Sequence, residues 1–121
     1  MPDIRKTEML LPKTKYIRDK RHLKFISTLP CVVTGSNEVQ ASHIRSGMGG
    51  MGLKSGDNCV LPLNWEVHQR QHAMGSEAAF WAKYGGIEKA KELANALWLR
   101  TGQREECLKL ITRFRRGFIH S

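Results

Sequence analysis

The sequence predicts an α+β fold, a small pair of strands set among helices, and three observations carry that prediction. Two short runs, "CVVTGSNEVQASHI" (31–44) and "NCVLPL" (58–63), have the β-branched and apolar content of strands. Between them lies a glycine-rich connection with five glycines from Gly47 to Gly56. Elsewhere apolar residues recur at helical spacing between capping residues. The 121 residues suit one domain with a modest core.

In chain order, residues 1–13 show no periodicity and contain Pro2 and Pro12, which predicts an irregular N-terminal arm. From about Lys15 to Ser27, the residues Tyr16, Leu23 and Ile26 give a helix with one apolar stripe, closed by Pro30. The run 31–44 reads as two extended pieces around a Gly35-Ser36-Asn37 turn. "NCVLPL" is the next strand, halted at Pro62. Asn64 is a good N-cap for "WEVHQRQHAM", and Gly75 stops that helix. Ser76 caps the next, with Gly85 at its end. Ile87, Ala90, Ala94, Leu97 and Trp98 mark the core face of a following helix, broken at Thr101-Gly102. Cys107, Leu110, Ile111 and Phe114 mark the last, which runs into the basic "RFRRGF" tail. Residues 87–121 therefore read as C-terminal helices and a basic tail.

No apolar run approaches the ~18 residues of a membrane span, and the N-terminal segment lacks the apolar stretch of a secretory signal. The expectation is a cytoplasmic chain with no membrane partner. Cys31, Cys59 and Cys107 are odd in number and far apart, which fits free thiols better than a disulfide framework. The net charge of +9 is unevenly placed. Residues 1–30 carry eight Lys and Arg against three acidic residues, and residues 100–121 carry six against two. The middle is neutral. Basic ends of this kind favour a polyanion, and DNA is the expected partner.

The glycine-rich connection looks at first like a phosphate cradle. A Walker A loop needs G-x-x-x-x-G-K-[ST] opening a helix. Here Leu53 intervenes between Gly52 and Lys54-Ser55, and Gly56-Asp57-Asn58 makes a turn instead of a helix. What matters is what flanks it. His68 and His72 are four apart on the predicted helix, so their Cβ atoms stand about 5–6 Å apart on one face, within reach of one metal ion. By itself that spacing marks only a helix face. Upstream, His43 ends a strand immediately before the connection.

Strand with His43, loop, strand, then helix with His68 and His72 is the order of a ββα-metal finger. The stretch "SHIRSGMGGMGLKSGDNCVLPLNWEVHQRQH" (42–72), flanked by "LPCVVTG" and "GSEAAFWAKYGG", resembles the HNH (His-Me finger) endonucleases. It is most similar to small phage and prophage proteins of the recombination-enhancement type. The resemblance covers residues 25–86 and implies a ββα-metal (HNH) finger embedded among helices.

What it implies is a metal-dependent endonuclease that hydrolyses DNA phosphodiester bonds. His43 stands where the first histidine activates water. Asn58, or Asp57 beside it, falls in the region of the middle asparagine that orients the base. His68 and His72 match metal positions for one divalent ion, Mg²⁺, Mn²⁺ or Zn²⁺. Arg45 and Lys54 lie where cations would hold the scissile phosphate. Host recombination proteins are a further expected partner. The chain departs from the pattern at Ser42, where many relatives carry a histidine or aspartate that completes the metal shell, so Asp57 is the candidate third ligand. It also departs at the structural zinc of many relatives: of the four expected positions only Cys31 keeps a ligand, with Thr34, Asn64 and Val67 at the others. A tetrahedral site needs all four, so no structural zinc is expected, and apolar packing or the Asn64 cap takes its place. Two other readings stay open: a non-catalytic DNA-binding protein with a degenerate finger, and a scaffold protein of a phage complex.

Overall fold

The computed structural model describes residues 17–45 and 56–119. Its elements are α1 (Lys20–Ile26), β1 (Val39–His43), β2 (Val60–Asn64), α2 (Trp65–Met74), α3 (Glu77–Trp81), a 3-10 turn (Ala82–Tyr84), α4 (Ile87–Leu99) and α5 (Arg104–Ile119). β1 and β2 form one antiparallel pair, with Val39 opposite Asn64 and His43 opposite Val60. The Ile44 amide donates to the Cys59 carbonyl at 2.8 Å and carries the ladder one residue further. α2 begins directly after β2. The described chain is thus a mixed fold of helices with a small two-stranded sheet. None of the described helices is long and apolar enough to cross a membrane.

β2 is buried from Val60 to Leu63, whereas β1 is mostly half-exposed. This explains why "VLPL" reads as a continuous apolar run with no alternation: both faces of β2 are covered. The sequence predicts that Pro62 halts this strand, and the structure corrects that: Pro62 lies inside β2, opposite Ala41. The Pro62 carbonyl accepts from the Val32 amide at 3.1 Å, on the side away from β1. In an antiparallel strand a residue's N and C=O point the same way. The nitrogen of Pro62 therefore also points away from β1, and no ladder bond is lost.

A second correction concerns "CVVTG", predicted as an extended piece. Residues 32–34 form a tight turn. The Cys31 carbonyl accepts from the Gly35 amide at 2.9 Å, and the Cys31 amide donates to the Ser36 carbonyl at 2.7 Å. Cys31 Sγ accepts the amides of Val33 and Thr34, each at 3.4 Å. Gly35 has φ +80°, which the turn requires. Val32 and Val33 are apolar because the turn presses them into the core.

α1 starts at Lys20, later than the predicted Lys15, because Asp19 is extended and its carboxylate accepts the His22 amide at 3.1 Å. The predicted N-terminal arm, 1–13, and Lys15 lie outside the described residues. Further along, Asn64 caps α2 by accepting from the Glu66 amide at 2.9 Å, and Gly75 closes it with φ +73°. Ser76 caps α3 through the Ala79 amide at 3.2 Å. α5 packs back through Phe114 and Phe118, whose rings meet Trp81 and Tyr84 edge-on at 6.2 and 5.0 Å. Trp81 is fully buried among them, and such edge-to-face packing adds to simple burial.

Asn64 also donates through Nδ2 to the Glu38 carbonyl at 3.1 Å, tying the entrance of β1 to the start of α2. Asn64→Ala should lower the unfolding free energy by about 1–2 kcal/mol in urea denaturation, since cap and tie are both lost. Asn64→Asp should cost less, because it keeps the cap and loses only the tie.

Candidate metal and catalytic site

β1 delivers His43 at its last position, and α2 follows β2 so closely that its second turn faces the end of β1. On α2, Val67 and Gln71 are the buried positions, four apart. His68 and His72 are one step round the helix from them and so sit at the margin between core and solvent. A cleft of about 540 Å³ opens there, lined by His43, Arg45, His68, His72, Ser42 and Glu77 among others. Five of the sequence-derived positions thus share one region: His43, Arg45, His68 and His72 in the cleft wall, and Asp57 directly behind His43. Lys54 lies outside the described residues.

His43 Nε2 is 2.9 Å from Asp57 Oδ1. A carboxylate only accepts hydrogen bonds, so Nε2 carries the proton, and in a neutral ring the lone pair is on Nδ1. Asp57 is itself held on two sides. Its other oxygen, Oδ2, accepts from the Asp19 amide at 2.8 Å, and its amide donates to the Ile17 carbonyl at 2.7 Å. Of the two candidate orienting residues it is therefore Asp57 that reaches His43, while Asn58 Oδ1 stands over the backbone of Gly56. The Asp57 carboxylate accepts from His43 and the Asp19 amide, and among the described residues it is not grouped with His68 and His72 as a ready third ligand.

His68 and His72 stack with ring centroids 4.5 Å apart and planes 19° from parallel. Their Nε2 atoms are 2.7 Å apart, and the Gln40 amide meets His68 Nδ1 from β1. His68 has its pKa lowered from the usual histidine value, first by burial, then by repulsion from His72 and Arg45. It is thus held in the neutral form that a metal ligand needs. Among the described residues no group of three or more His, Cys, Asp or Glu side chains gathers as a ready metal site. An ion bridging the pair would take its other ligands from water or substrate.

Three contributors were not visible as site residues in the sequence. Both Glu77 oxygens accept the Arg45 amide, each at 3.0 Å, and Oε2 also accepts Gln71 Nε2 at 3.4 Å. Glu77 therefore fixes where the chain leaves β1. Its sequence signal, an acid after a Ser cap, speaks only of helix α3. Asp19 announces a cap for α1 but not its amide bond to Asp57. Gln40 carries no local signal. Ser42, the position of departure from the nuclease pattern, is buried within β1. Cys59, beside Ile44 in the ladder, has its thiol pushed up to about 11 by burial, so it is not a thiolate at neutral pH.

Two outcomes follow. A Cβ added at Gly56 would fall 2.6 Å from the Ile17 nitrogen and 2.8 Å from the Ile17 oxygen. Gly56→Ala should then lower unfolding free energy by about 1–3 kcal/mol in urea, whereas Gly117→Ala in α5, where nothing beyond the helix's own neighbouring backbone lies within 4 Å of the new Cβ, should be neutral or stabilising. The second concerns pH. Above about pH 6.5 His68 is neutral whether the chain is folded or unfolded, and it adds no pH dependence. Below that value the unfolded chain takes up a proton that folded His68 resists, so stability falls until the pH passes the lowered folded value. Chelator-treated protein should lose stability from pH 7 towards pH 5, and His68→Gln should flatten that slope in urea titrations at each pH.

The comparisons with other proteins bear on kinship. "Uncharacterized protein YdfU" of Escherichia coli (strain K12) is 34% identical to the chain over 85 residues, covering 69% of this chain and 24% of that protein. The chain thus spans about a quarter of the length of that curated relative. No solved structure matches the chain. Residues 2–99 match the family described as "Protein of unknown function (DUF968)", a span that takes in both strands and α2, and the chain belongs to that family.

Proposed function

We propose that this protein is a metal-dependent endonuclease of the HNH (His-Me finger) type that hydrolyses DNA phosphodiester bonds. The observation that carries this reading is the Asp57–His43 pair at the end of β1, at 2.9 Å, facing a cleft shared with the His68–His72 pair. Asp57 holds Nε2–H, so His43 Nδ1 is free to act as general base. It takes a proton from water, and the water oxygen attacks phosphorus in line. The P–O3′ bond breaks, the departing 3′ oxygen takes a proton from solvent water, and the products are a 5′-phosphate and a 3′-hydroxyl. Arg45 sits in the cleft wall, where its charge would meet the phosphate. Lys54, on the glycine-rich connection, is the second proposed phosphate contact.

His68 and His72 would hold one divalent ion, and paired imidazoles suit Zn²⁺ better than Mn²⁺ or Mg²⁺. A half-turn of the Gln40 amide presents its oxygen to His68 Nδ1–H, which leaves the Nε2 lone pair for the ion. Such an ion supplies Lewis-acid neutralisation of the charge that develops on the departing 3′ oxygen. Host recombination proteins and a phage or prophage setting belong to the same proposal, by resemblance alone.

A second reading, a DNA-binding protein without turnover, is favoured by one observation: Ser42 is buried in β1, and among the described residues no third His, Cys, Asp or Glu joins the histidine pair. One experiment separates the two. Supercoiled plasmid incubated with Mg²⁺, Mn²⁺, Zn²⁺, Ni²⁺ or Co²⁺ should be nicked, and chelator should stop the reaction. His43→Ala should lower the rate about 10²-fold or more, the scale of a lost general base, with DNA binding retained. Asp57→Asn should also slow cleavage, because an amide can present N–H to the ring and favour the wrong tautomer. Binding with steep salt dependence but no nicking under any metal would establish the second reading instead.

A further inference from the structure

The chain has three tryptophans, and two are core residues: Trp81 is 0% and Trp98 is 4% exposed. Trp65 is 60% exposed at the first position of α2. An indole presents a large apolar face, and leaving it in water forgoes the stabilisation that burial would give. The other exposed large apolar side chains, Met74 at the end of α2 and Leu99 at the end of α4, line neither surface that the histidine pair shares. Trp65 instead shares a helix side with His68, Gln69 and His72, at spacings of three, four and seven residues. Together with Gln40 these residues line a shallow hollow of about 510 Å³.

His68 and His72 line both this hollow and the cleft that contains His43 and Arg45. The pair is a shared wall, with a cation and the His43 base on one side and a bare indole on the other. Gln40 and Gln69 beside the indole offer amide donors and acceptors of the kind that meet base edges. We propose that Trp65 is a stacking platform for an unpaired base of single-stranded DNA, which places the adjoining phosphate in the cleft beside His68 and His72. The proposal rests on the DNA reading above and adds to it the form of the substrate. Arg45 and the excess positive charge of the chain supply the backbone attraction, and the aromatic face supplies the selectivity for unstacked bases. A duplex keeps its bases stacked on each other and cannot offer one to the indole without unpairing.

The test uses fluorescently labelled oligonucleotides with the full chain in chelator, so that binding is read without cleavage. The ligands are oligo-dT, an abasic strand of equal length, and a blunt duplex. Wild type should bind oligo-dT about tenfold or more tightly than the abasic strand, with quenching of tryptophan emission. Trp65→Ala should drop oligo-dT to the abasic level and abolish the quenching, while Trp65→Phe retains most of the preference. Circular dichroism of Trp65→Ala should match wild type, as expected for an exposed side chain. Equal affinity for oligo-dT and the abasic strand, a preference for duplex, no binding to any strand, or unchanged oligo-dT binding by folded Trp65→Ala would each overturn the proposal. The last result would point to a protein partner for the indole. Plasmid nicking reports separately on catalysis. Nicking without a dT preference sinks the stacking platform alone, and a Trp65-dependent dT preference without nicking sinks the nuclease alone.

Discussion

The buried carboxylate of Asp57 is the joint on which the rest of the site depends. A carboxylate withdrawn from water to 12% side-chain exposure must find hydrogen bonds to offset its desolvation. The folded chain supplies the Asp19 amide and the ring of His43, while Ile17 accepts from the Asp57 backbone. Three segments far apart in sequence are tied at one residue: the entrance to α1, the end of β1 and the approach to β2. The absence of a side chain at Gly56 is what lets the Ile17 backbone come this close.

The need for such a joint follows from the size of the sheet. Two five-residue strands are marginal by themselves. This pair persists because β2 is wrapped: β1 on one edge, the Cys31–Gly35 turn on the other, and core side chains on both faces. Asn64 then links the turn region, β1 and α2 at one corner. Where the resemblance places metal-ligating positions for structural zinc, this chain has Cys31 accepting two amides, Asn64 bridging and Val67 in the core. The corner is held by hydrogen bonds and packing of the chain itself.

Much of the helical layout was legible because helix ends are local. Asn64, Gly75, Ser76 and Gly85 act within four residues of where they stand, so their chemistry shows in a short window. The errors came where burial imitates secondary structure. Val32 and Val33 look like strand residues but are apolar because a turn buries them. Pro62 looks like a strand breaker but is harmless because its nitrogen faces away from β1. The site shows the same division. His68 and His72 advertise themselves through helical periodicity, and His43 through its place before the glycine-rich connection. The choice between Asp57 and Asn58 could not be read, since both are plausible partners until the path of residues 17–19 is known.

The sequence by itself determined which residues are candidates for the site, because residue type, local spacing and capping are written within a few positions: three histidines in strand–loop–helix order, an acidic turn before β2, and a basic excess towards both ends. Only the tertiary structure decided how they are joined. Asp19 with Asp57 and Glu77 with Arg45 are pairs separated by 38 and 32 residues, and Gln40 with His68 by 28. No local pattern encodes such contacts. They exist because β2 is buried on both faces, which draws α1, β1 and α2 around it and brings their polar groups within reach of one another.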